Sequence, residues 1–103
     1  MEEKNLKKKS RDNDHIVLIG AKPFMNYVTG VVMQFTTLNR DLVVVKARGK
    51  FISKAVDISE VARKRFLNDG IKPTHIAIDS EEFTNTEGKL VRVSTIEITL
   101  NKI

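Results

Sequence analysis

Residues 42–54 read Leu-Val-Val-Val-Lys-Ala-Arg-Gly-Lys-Phe-Ile-Ser-Lys. The stretch holds a strand, a basic turn and the start of a helix. Leu42 to Val45 is a short continuous apolar run, which reads as a buried strand that continues through Lys46-Ala47-Arg48 to Gly49. A helix is predicted over residues 52–67, with Ser53 as its N-cap and Glu60 pairing with Lys64 at i,i+4. Its apolar stripe is Ala55, Ile58, Ala62 and Phe66, with Val61 beside it. Asn68-Asp69-Gly70 stops it.

Upstream lies a second unit of the same kind. Ile16-Val17-Leu18-Ile19 is a buried-strand run ended by Gly20, and Pro23 sits where a first helical turn would start. Phe24, Tyr27, Val28, Val31, Val32, Phe35 and Leu38 follow at spacings of three and four, one wide helical stripe. Gly30 inside it costs ~1 kcal/mol relative to Ala, so it is read as permitting close approach of another element. Asn39-Arg40-Asp41 turns the chain into the next strand.

Downstream, residues 74–83 and 89–103 are strand-like and flank Asn85-Thr86-Glu87-Gly88, a hairpin turn. Ile96, Ile98 and Leu100 alternate with Glu97, Thr99 and Asn101, whereas before Thr95 the apolar parity moves to Val91 and Val93. The far end of this hairpin is therefore expected to leave the body and twist into solvent. The order is β-α-β-α-β-β. Right-handed crossovers put both helices on one face, so the predicted fold is an α/β two-layer sandwich. It has a four-stranded mixed sheet, one open sheet face and a projecting hairpin.

The chain has 103 residues, enough for one domain, over residues 15–103. Residues 1–14 are polar and basic, with Met1 and Leu6 as the only apolar side chains, and are predicted to form a disordered arm. No apolar run approaches the ~18 residues of a membrane span, and residues 1–14 lack the apolar segment of a secretory signal. Cysteine is absent, which excludes disulfides, thiolate metal sites and a cysteine nucleophile. No cofactor or metal is expected.

The net charge is +5, and its placement says more than its size. Residues 15–54 carry six basic groups and one acid, whereas residues 55–103 carry seven basic and eight acidic groups. Lys22 follows the first strand. Lys46, Arg48 and Lys50 alternate along a predicted extended segment, and Lys54 follows near the helix start. Both strand-to-helix junctions lie at the C-terminal edge of adjacent parallel strands, so these five cations should converge on one rim with no acid among them. Such a rim fits a polyanion, and Lys89 and Arg92 would extend it along the hairpin. Glu81, Glu82 and Glu87 favour an ordinary projecting hairpin instead. Catalysis is disfavoured. Ser53, Ser94 and His75 lack a nucleophile-elbow context, His15 has no partner at ligand spacing, and His75 reads as a strand residue. Glu81-Glu82 reads as a solvated pair.

Several segments in order resemble the Alba family of small archaeal chromatin proteins. They are Val17-Leu18-Ile19-Gly20 with Lys22-Pro23 and Met25-Asn26-Tyr27-Val28, then Val45-Lys46-Ala47-Arg48-Gly49, Ile52-Ser53-Lys54-Ala55-Val56-Asp57, and Arg92-Val93-Ser94-Thr95-Ile96-Glu97-Ile98. The resemblance implies a homodimer, or a heterodimer with a paralogue, that coats and condenses double-stranded DNA with little sequence preference. It also implies a cytoplasmic, chromosome-associated protein. The alternative it leaves open is RNA binding, as a structural-RNA chaperone or a subunit of an RNA-processing particle. The family has a lysine pair after the first strand that is subject to acetylation; here that pair is Ala21-Lys22, and Lys22 matches the second lysine. The altered pair points to a divergent second paralogue. Arg48 matches a family nucleic-acid contact, Lys50 sits where the family often has Arg, and Phe66 matches a contact between dimers along DNA.

Overall fold

The computed structural model describes residues 15–103. The elements are β1 (Ile16–Leu18), α1 (Phe24–Thr36), β2 (Leu42–Arg48), α2 (Ile52–Val61), β3 (Ile71–Thr84) and β4 (Leu90–Lys102). A 3₁₀ turn, Gly49–Phe51, leads into α2, and a π-helical turn, Ala62–Phe66, extends it. The sheet order is β1-β2-β4-β3, with β1 and β2 parallel and the other pairs antiparallel. This is the two-layer α/β sandwich and mixed sheet that the pattern predicts.

Register decides which side chains are covered. Val43, Val45 and Ala47 pair with Leu100, Ile98 and Ile96, and all but the half-buried Ile96 are buried against Val28, Val31 and Phe35 of α1 and Ala55 and Ile58 of α2. The intervening residues, Val44, Lys46 and Arg48 opposite Thr99, Glu97 and Thr95, point to the open face. Leu18 pairs with Lys46 on that face and is 70% exposed. The apolar run of β1 is therefore not buried on both faces, because helices cover only one side of the sheet. On the covered side the helices stop short of β3, so Ile76 and Ile78 are exposed although they pair with Ile98 and Ile96.

Beyond β2's reach, residues 90–94 of β4 pair only with β3, which projects a two-stranded arm of about 16 Å. Its tip closes as expected. Gly88 takes φ 82°, a region open to glycine, and Asn85 Oδ1 accepts hydrogen bonds from the Glu87 and Lys89 amides. No bulge accompanies the parity change at Thr95; the β3–β4 register shifts only between Pro73 and His75. Val91 and Val93 simply occupy the open face, where Val93 comes within 3.7 Å of where a Cβ on Gly49 would stand.

Four local expectations are corrected. Pro23 occupies the N-cap of α1 rather than its first turn. A Cβ built on Gly30 meets nothing within 4 Å, so no element approaches there. Ser53 is not an N-cap: the 3₁₀ turn starts the helix two residues earlier, with Phe51 in the cap position and no side-chain cap bond. Finally, the π turn adds a residue to the helical repeat. Ala62 is buried, but its successor on the core is Leu67 at i+5, and Phe66 at i+4 swings out to 51% exposure. The same widening separates Glu60 from Lys64. Glu60 Oε2 instead accepts a hydrogen bond from Arg63 Nε at 2.8 Å, and Lys64 lies 3.8 Å from Asp69.

Candidate nucleic-acid interface

The two strand-to-helix junctions are tied together by one side chain. Lys54, in the first turn of α2, donates from Nζ to the carbonyl oxygens of Gly20 and Lys22, both at 2.7 Å. The same ammonium stands over the rings of Tyr27, at 5.1 Å, and Phe51, at 5.7 Å. Tyr27 completes the clamp: its hydroxyl accepts from the amides of Gly20 (3.0 Å) and Lys22 (3.2 Å). The Gly20–Lys22 loop is thus held from its carbonyl side by a cation and from its amide side by a phenol. Tyr27 reads in sequence as one more member of the α1 stripe. The one available signal was that a half-buried phenol needs a hydrogen-bond partner for its oxygen.

This clamp brings Lys22 beside the start of α2, on the same rim as Lys50, whose ammonium lies 5.5 Å from the Phe51 ring. Lys22 and Lys50 are exposed, and among the described residues neither has a carboxylate within ion-pair distance. Lys54 itself is half-buried and occupied, so it shapes the rim instead of presenting a free charge.

The expectation that Lys46, Arg48 and Lys50 point the same way holds for the first two alone. Gly49 takes φ 55°, which ends the strand and turns Lys50 into the 3₁₀ segment. The expectation of a rim without acids is also corrected. Cross-strand register puts Glu97 opposite Lys46, at 3.3 Å, and Arg48 reaches Glu81 on the hairpin at 2.9 Å. On the hairpin, Arg92 pairs with Glu82 directly across the ladder, donating from Nε at 3.1 Å. Lys89, beside the tip, is exposed and has no described acid within ion-pair distance. These pairs are solvated, with side chains from about one-third to two-thirds exposed.

The remaining candidates stay apart. Ser53 is exposed at the start of α2, Ser94 lies across from Ser80 on the arm, and His75 is exposed on β3 opposite Thr99. His15 precedes β1. Among the described residues no three His, Cys, Asp or Glu side chains gather as a metal site would require. No helix of the described residues is long and apolar enough to cross a membrane.

The arrangement defines a small α/β sandwich with a clamped basic rim at the C-terminal edge of its parallel strands and an arm beside it. Comparison with known proteins supplies the family. Residues 15–80 match Alba, and the chain belongs to the Alba family, whose members are not enzymes. It is 46% identical over 89 residues to the DNA/RNA-binding protein Alba of Methanococcus maripaludis, which covers 86% of this chain and 99% of that one. Alba from Thermoplasma volcanium superposes with a TM-score of 0.77 at 46% identity, over 84% of this chain and 99% of that one. ALBA1 from Trypanosoma brucei has the same fold, with a TM-score of 0.68 at 20% identity over 86% of this chain and 69% of that one.

Proposed function

We propose that this protein binds nucleic acid through the rim that Lys54 assembles, coating double-stranded DNA with little sequence preference. The observation that carries the reading is the clamp. It brings two basic junctions to one edge and leaves Lys22 and Lys50 free of described acids. Arg48 and Lys46 join them by exchanging carboxylates for phosphates. A solvated ion pair is worth only ~0–1 kcal/mol, so a phosphate that brings charge and bidentate geometry displaces it at small cost. Lys89 and Arg92 would carry the contact along the arm, Arg92 by the same exchange with Glu82.

Phosphate contacts position a protein without reading sequence, so low specificity follows from the residues that make them. The active unit would be a dimer, homotypic or formed with a paralogue. The exposed Ile76 and Ile78 beside α2 give it an apolar face to bury. Phe66, pushed outward by the π turn, would contact the next dimer on the duplex. Residues 1–14, proposed as a polar and basic arm, lie outside the described residues. A chromosome-associated place in the cytoplasm follows from this role. Ala21 leaves Lys22 as the single acetylation candidate of the pair.

RNA is the second reading, and the Methanococcus relative's name, DNA/RNA-binding protein Alba, favours keeping it. Competition between duplex DNA and hairpin RNA at equal salt separates the two. A protein that shifts neither at low salt would refute both.

A further inference from the structure

The open sheet face carries a groove of about 530 Å³ between the end of β2 and the root of the arm, a size within the ~300–1,000 Å³ of small-ligand sites. Leu18, Phe51 and Val93 supply its apolar lining. Leu18 is 70% exposed, an unusual position for leucine on a sheet whose other face is packed. The charged lining is two ion pairs, Lys46–Glu97 and Arg48–Glu81. That lining is neutral in sum, and this separates the groove from the rim. A phosphate entering it would meet two carboxylates. A flat, neutral ring with donors and acceptors on its edge would meet partners for both. The ammonium and guanidinium donate to a ring carbonyl or ring nitrogen, while the carboxylates accept from an exocyclic amino group. The faces of the ring would cover Leu18 and Val93.

We propose that the groove takes one unpaired nucleobase carrying an exocyclic amino group, from a strand whose phosphates rest on Lys22 and Lys50. The proposal rests on the phosphate-binding reading above and adds a base-recognising site to it. An unpaired base can reach such a pocket at little unstacking cost, whereas a paired base cannot.

The test uses the full chain and three duplexes, prepared as RNA and as DNA: fully paired, with a single bulged adenine or cytosine, and with the same bulge made abasic. The abasic bulge keeps the backbone and its flexibility and removes only the ring. The base-bearing bulge is expected to bind about tenfold tighter than the abasic one, with a smaller gain for bulged uracil. The RNA and DNA arms show which strand supplies the base. Leu18→Ser and Val93→Ser should erase the gain while leaving affinity for the paired duplex unchanged, with melting curves confirming that each variant folds. Equal binding of base-bearing and abasic bulges, with the duplex still bound, would overturn the groove proposal and leave the phosphate reading standing. Failure to bind any of the three at low salt would refute the phosphate reading and the groove with it.

Discussion

Replacing Lys54 with Met separates two roles that a basic residue near a polyanion site can play. In sequence Lys54 is one of five cations aimed at phosphate; in the fold it is a clamp. Met keeps most of the aliphatic stem and removes the charge. Two hydrogen bonds to carbonyl oxygens are lost, each worth ~1.5–3 kcal/mol for a charged donor. Gly20 and Lys22 are partly open to water, which replaces part of that. The contacts with Tyr27 and Phe51 add ~0.5–1 kcal/mol. The sum is a destabilisation of about 2–3 kcal/mol, and for a domain of this size that lowers Tm by about 10 °C or more. Thermal unfolding by circular dichroism reads the first effect, and fluorescence anisotropy on duplex DNA across a salt series reads the second. Lys54→Met is expected to melt early and to lose affinity, because the Lys22 loop is released. A normal Tm, with a salt slope shallower by ~1.8 for a dimer (one phosphate contact per protomer), would refute the clamp and restore Lys54 as a direct contact.

Other changes test other parts of the account. Glu81→Gln frees Arg48 from its ion pair and should tighten duplex binding about two- to fivefold, the worth of a solvated pair; weaker binding in the same anisotropy assay would show that Glu81 orients Arg48 and does not compete for it. Gly30→Ala should stabilise the fold by ~1 kcal/mol in chemical denaturation, since the added methyl meets nothing within 4 Å; a loss would mean that a partner approaches α1 there. Phe66→Ala should change stability by about 1 kcal/mol or less while reducing cooperative coating of long DNA, read by analytical ultracentrifugation or electron microscopy; unchanged cooperativity would remove Phe66 from the contact between dimers.

The strands and helices were legible because their signals are local. Period-two and period-four patterns in residues 16–67 need no knowledge of neighbours, and Gly88 marks its turn by itself. What stayed hidden was set by distant pairing. Glu97 neutralises Lys46 only because β4 pairs with β2 in one register, and shifting that register by one residue would turn Glu97 to the other face. The carbonyls that hold Lys54 are 34 and 32 residues away along the chain. The outward turn of Phe66 depends on a π turn within an otherwise helical pattern, and a 3.6-residue repeat cannot foresee it. Leu18 shows the same limit. A run of four apolar residues reads as buried on both sides until the topology shows that helices cover one face only.

The salt dependence of duplex binding tests the central claim most directly. With Lys22, Arg48, Lys50 and Lys89 each meeting one phosphate per protomer, log K should fall against log salt with a slope of about −7 for the dimer. Lys22→Glu should lower affinity for unrelated sequences to the same extent. A slope near zero, or a Lys22→Glu loss confined to one sequence, would contradict a rim built to lie against a phosphate backbone.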